Sequence, residues 1–96
     1  MKPSEALQSH RAAIVAATVR FRTTNPRVFG SVLHGQDTDN SDLDLLVDPL
    51  PGTTLFDLGG LQVALEDMLG LRVDLLTPGE LPIKFRQTVL QQAQPL

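Results

Sequence analysis

Five of the chain's eleven acidic residues, Asp37, Asp39, Asp42, Asp44 and Asp48, fall within one stretch, Val28 to Asp48, VFGSVLHGQDTDNSDLDLLVD. Like charge at that density is unfavourable unless water or a cation compensates it. Asp42 and Asp44 alternate with Leu43, Leu45 and Val47. That pattern predicts a strand over Ser41 to Asp48 with leucines on one face and carboxylates on the other. Two strand positions separate Cα atoms by roughly 6.6 Å, which lets both carboxylates reach one pair of metal ions. A further acid, Asp74, interrupts a second apolar run, LRVDLLT, from Leu71 to Thr77. An aspartate inside an apolar strand is disfavoured unless it is paired, hydrogen-bonded or bound to metal. Three carboxylates with no lysine beside them favour hard divalent cations, and Mg2+ completes its shell with water and substrate phosphates.

Gly30 and Ser31 supply what a phosphate needs. Glycine lets the backbone approach closely, serine donates a hydroxyl, and a helical turn after them directs free N–H groups at an anion. Alone, a Gly-Ser pair is a weak signal. Followed by Asp-x-Asp after about ten residues and by an isolated strand aspartate about thirty residues later, it is a specific one.

The elements that must position these groups are legible from periodicity. Met1 to Arg22 reads as a helix with Ser4 as N-cap, and Leu7, Ile14 and Phe21 with Ala6, Ala13 and Ala17 form its core stripe. Arg11, Arg20, Arg22 and Arg27 make this end basic. A solvated face is the ordinary account of them, and contact with a polyphosphate or acidic partner the functional one. Thr23 to Pro26 is expected to break the helix before a short strand, Arg27 to Phe29. Val32 to His34 makes one helical turn, and Gly35 with the polar run QDTDNS returns the chain to Asp42. Pro49 to Gly52 is a turn, Leu55 to Leu69 a helix closed by Gly70, Leu71 to Thr77 a strand, and Leu81 to Ala93 a final helix. The sum is an α+β fold over residues 1–96 as one domain, a small three-stranded sheet with helices packed on it.

Composition narrows the function. At 96 residues with 42% hydrophobic and 20% charged residues, the chain suits one globular core. A net charge of -3 argues against direct nucleic-acid binding. Without cysteine there is no disulfide or thiolate metal site. The start MKPSEALQSHRAA has no signal-peptide core, and no apolar run spans a bilayer, so no membrane association is expected and a cytoplasmic location is.

Gly30-Ser31, Gly35, Ser41-Asp42-Leu43-Asp44 and Asp74 together resemble the motif of the polymerase-beta nucleotidyltransferase superfamily, closest to its minimal nucleotidyltransferase (MNT) domains. The resemblance implies the nucleotidyltransferase fold, a small mixed sheet of three or four strands flanked by helices, and transfer of a nucleoside monophosphate from a nucleoside triphosphate. Asp42, Asp44 and Asp74 would be catalytic and hold two Mg2+ ions, and Gly30, Ser31, His34, Gly35 and Ser41 would bind ATP. Many such domains are antitoxins that adenylylate a tyrosine of a HEPN ribonuclease toxin, which makes such a toxin the expected partner. Members commonly carry arginine where this chain has His34. A histidine can still donate to a phosphate, with a charge that varies near pH 6.5, or can be an ordinary loop residue.

Three other readings follow from the same residues. An EF-hand register over Asp37, Asp39, Ser41 and Asp48 fails, because its sixth position is Asp42 instead of glycine and Pro49 stands directly after Asp48, where an amphipathic helix should begin. A module could neutralise its partner by contact alone, or the hydroxyl acceptor could be a small molecule. Leu81, Ile83, Phe85 and Val89 read as core of the last helix, or as a docking face for an acceptor protein.

Overall fold

A computed structural model describes the whole chain, residues 1–96. Helix α1 (Pro3–Arg20) starts on Pro3, whose fixed φ and missing N–H suit a first helical position. The N-cap is therefore Lys2, and Ser4, expected to be the cap, lies inside the first turn. The helix is kinked at His10 (φ -122, ψ 18). There the imidazole Nδ1 bonds the Ala6 carbonyl at 3.1 Å, the same oxygen the backbone ladder would use. Ala6, Leu7, Ile14 and Ala17 are buried as expected, Phe21 is half-buried and Ala13 is exposed. The helix stops at Arg20, two residues early, because Arg22 takes a left-handed φ of 59 that swings the chain into the sheet.

Strand β1 (Thr23–Phe29) runs through Pro26, where a break is expected from sequence. A register shift between Thr24 and Arg27, with Asn25 at φ 54, puts the proline where no ladder N–H is needed. After the single turn α2 (Gly30–Leu33), strand β2 (Leu43–Pro49) returns antiparallel to β1, pairing Val28 with Leu45 and Phe29 with Asp44.

Helix α3 (Leu55–Leu69) begins with a capping box, Thr54 and Asp57 each bonding the other's backbone N–H, and ends at Gly70. Such a crossover is what lets β3 (Val73–Leu76) lie parallel to β2. A short 3-10 turn (Pro78–Glu80), helix α4 (Ile83–Gln92) and strand β4 (Gln94–Pro95) finish the chain. Sheet order is β3-β2-β1-β4, the expected mixed sheet with its fourth strand hidden in the tail.

Helices α1 and α3 cover one face of the sheet. Ile14, Leu61, Leu65 and Leu69 pack there against Val28, Leu43, Leu45, Val47, Val73 and Leu75. Burying an aliphatic side chain of this size contributes about 1.5 to 3 kcal/mol, so this face carries most of the cohesion. On the other face Leu46 is buried beside the turn Pro78–Glu80, while the beginnings of β2 and β3 are left open. Helix α4 departs from its expected role as core. Leu81 ahead of it is buried, but Ile83 is 84% and Phe85 56% exposed, and no residue of the helix itself is buried. Arg86 ties it to the preceding turn through the Gly79 and Leu81 carbonyls, each at 2.9 Å. Val63 of α3 also faces solvent. No helix is long and apolar enough to cross a membrane.

Candidate active site

Parallel pairing of β2 with β3 sets Asp44 directly opposite Asp74. Strand alternation keeps both side chains on the face opposite the core leucines, with Asp42 two residues before Asp44, just ahead of β2. The same alternation brings in Arg72, two residues before Asp74, whose Nε lies 3.9 Å from Asp42 Oδ1. Sequence reasoning overlooked it, although the spacing Arg-Val-Asp carries the signal. Its side chain is 86% exposed, so this pair contributes little to stability.

Gly30 closes the third side. It has φ +72, and a Cβ there would collide with the Asp44 carboxylate, standing 2.9 Å from its Cγ as well as against Oδ2. Only glycine lets the end of β1 approach Asp44 this closely. Ser31 follows half-buried at the start of α2, next to β2. The Gly-Ser pair and the three acids are thus neighbours across three adjacent elements.

The loop residues fall further out. His34 is exposed at the end of α2, its N–H bonding the Gly30 carbonyl at 3.2 Å. Gly35 has φ +68 in open space, a conformation that other residues adopt at a cost. Ser41 accepts the Thr38 N–H on its hydroxyl at 2.9 Å and donates its own N–H to the Thr38 carbonyl at 3.1 Å. The remaining acids of the cluster have partners elsewhere. Asp37 accepts the Ser4 N–H at 2.9 Å, Asp39 lies 3.8 Å from the terminal ammonium, and Asp48 pairs with Arg27 at 3.1 Å. Arg27, grouped by sequence with a solvated basic face, is instead buried against Asp48.

Electrostatics set Asp44 apart. Burial, then the charges of Asp74 and Asp42, then a hydrogen bond with Asp74, push its carboxyl up to about 6 from an ordinary 3.8. A divalent cation would relieve that excess, and an all-oxygen donor set suits Mg2+. As the side chains stand, no group of three closes on a single metal-binding point. The chemistry of the donors therefore fits a divalent ion, while the ligand geometry is not drawn together.

Relatives share the fold. A family model of polymerase-beta nucleotidyltransferases matches residues 26–96, the span from β1 to the C-terminus. The chain belongs to that nucleotidyltransferase family. It is 38% identical over 73 residues to the protein adenylyltransferase MntA of Thermococcus cleftensis, covering 76% of this chain and 74% of that protein. A solved structure described as a minimal nucleotidyltransferase is 42% identical and superposes with a TM-score of 0.86 over 97% of this chain and 95% of the other. The nucleotidyltransferase fold also matches, at 20% identity and a TM-score of 0.71, a chain of a toxin–antitoxin crystallised with AMP-PNP, over 92% of this chain and 70% of that one.

Proposed function

We propose that this nucleotidyltransferase is an antitoxin that moves AMP from ATP to a tyrosine hydroxyl of a HEPN-type ribonuclease toxin, with Mg2+. The observation that carries the reading is the register of Asp44 against Asp74 with Gly30 packed on Asp44, because it sets two of the acids beside the Gly-Ser turn. The relative named protein adenylyltransferase MntA supports the reaction type, and the fold shared with a toxin–antitoxin chain crystallised with AMP-PNP supports the partner and the nucleotide.

In this mechanism the hydroxyl oxygen attacks the α-phosphorus of ATP, the bond to the leaving pyrophosphate breaks, and the hydroxyl proton passes to a carboxylate. Asp74, exposed at the rim, is the acceptor for that proton. Gly30 and Ser31 hold the triphosphate, with His34, Gly35 and Ser41 lining its approach. Asp42, Asp44 and Asp74 would hold Mg2+, which supplies charge neutralisation on the α-phosphate and pyrophosphate. Asp44, whose carboxyl is raised, is the ligand whose ionised form a bound cation would favour most.

The test is incubation with labelled ATP, Mg2+ and the toxin encoded beside the gene. Label should appear on the toxin and vanish with Asp42→Asn or Asp44→Asn. Toxin fully neutralised by both variants, with no label at any stage, would refute the transferase in favour of simple binding.

A further inference from the structure

The loop 35–41 joins the two halves of the site, the Gly-Ser turn and the acids of β2, and it is itself tied at three places. At its start the Gln36 N–H donates to the Ser31 carbonyl at 2.9 Å. At its end Thr38 and Ser41 share three hydrogen bonds, from the Thr38 N–H to the Ser41 hydroxyl at 2.9 Å, from the Ser41 N–H to the Thr38 carbonyl at 3.1 Å, and between the two hydroxyls at 3.3 Å. Between them Asp37 reaches out of the loop to the Ser4 N–H of α1, 33 residues away in sequence, at 2.9 Å.

The far end of that contact is a fixed point. Ser4 follows Pro3, which is buried, and precedes Ala6 and Leu7, at 0% and 4% exposure in the core. The amides of a helix's first turn have no partner within the helix and carry its positive end, so a carboxylate there is favoured. Hydrogen bonds from the Ser4 backbone and side chain hold the Asp37 carboxyl below the usual range. The ion pair from Asp39 to the chain's ammonium, at 3.8 Å between exposed groups, adds a weaker second tie.

From this geometry we infer that Asp37 is a positioning residue for the nucleotide site: bonded to the first turn of α1, it fixes the loop that sets Ser41 and Asp42 relative to Gly30 and Ser31. The inference rests on the adenylyl-transfer reading for what is positioned, but not for the tether itself. Asp37 touches neither nucleotide nor reacting atoms in this scheme. Its contribution is to keep a loop of one glycine and six polar residues in one arrangement before ATP arrives, so that less ordering remains to be done on binding.

Two variants and two readouts test it. Asp37→Ala removes the acceptor, whereas Asp37→Asn keeps an oxygen that accepts the same N–H. Amide hydrogen exchange, followed by NMR without nucleotide, should quicken roughly tenfold at Thr38 and Ser41 in Asp37→Ala, while Val28 and Leu45 in the core stay protected. ATP affinity by calorimetry should fall roughly tenfold in Asp37→Ala, the scale of one charge-assisted hydrogen bond, and Asp37→Asn should recover most of it. Recovery by the amide would not be seen if the carboxylate acted through long-range charge alone. Unchanged exchange at Thr38 and Ser41 overturns the tether. Quickened exchange with unchanged ATP affinity overturns the positioning role and leaves the transferase reading intact, whereas a wild-type protein that binds no ATP sinks both.

Discussion

Asp44 and Asp48 stand on the same strand and the same face, one apolar residue apart from being neighbours, yet the protein treats them in opposite ways. Asp48 is met by the Arg27 guanidinium at 3.1 Å and the Asn25 amide at 3.0 Å. Burial pulls its carboxyl upward, but these hydrogen bonds and the Arg27 charge outweigh it and hold the group below the usual value. Asp44 is met by Asp74 and Asp42 and is pushed up to about 6. One acid is satisfied from within the chain. The other is left in deficit, as an acid that must bind something from outside would be.

The largest separation between them should be in turnover. Asp44→Asn is expected to lower transfer of label to the toxin by about a hundredfold or more, the scale of removing a group that stabilises the transition state. Asp48→Asn should stay within a few-fold of wild type in the same assay. Comparable losses in the two variants would erase the distinction.

Stability should run the other way. Removing the guanidinium with Arg27→Met leaves Asp48 half-buried with only the Asn25 amide beside it, and about 1 to 2 kcal/mol of unfolding free energy should be lost in urea titration, given the partial exposure of the pair. Asp44→Asn should instead stabilise. A carboxyl whose folded value lies above its unfolded one binds its proton more tightly when folded. Its contribution is intact below about pH 4 and declines as pH rises through about 6. The gain from Asp44→Asn should accordingly be on the order of 1 kcal/mol at pH 7.5, after discounting for solvent screening, and vanish near pH 3.5. For Asp48 the sign reverses: its stabilisation is present at neutral pH and lost as pH falls below 3.8 through its depressed value. Melting curves of Asp44→Asn and Asp48→Asn should depart from wild type in opposite directions at pH 8 and converge on it towards pH 3.

The smallest effect separates two glycines of the site. Gly35→Ala meets nothing within 4 Å and carries only its left-handed backbone, a penalty of about 1 kcal/mol. Gly30→Ala carries the same penalty and a collision with Asp44, so it should be the less stable of the two and the one that also weakens ATP binding.

What sequence made legible was what local pattern determines. Alternation along Leu43 to Val47 set the faces of β2 correctly, and Leu55–Leu69 with Gly70 was readable to the residue because capping and helical period agree there. Patterns decided by distant partners were not readable. Pro26 looks like a terminator until a bulge removes its duty in the ladder, and Gln94–Pro95 has no strand character except beside β1. Ser4 looks like a cap, but Pro3 starts the helix earlier. In the site, the opposition of Asp44 and Asp74 depends on how two strands far apart in sequence align, and Arg72 joins only once that alignment is known.

That alignment has a consequence for folding. Side chains switch faces with every residue, so sliding β3 past β2 by one position would bury Asp74 among the leucines and turn Val73 or Leu75 outward. Misthreaded molecules would therefore be both inert and unstable, so the apolar packing that rejects a wrong register also proofreads the chemistry.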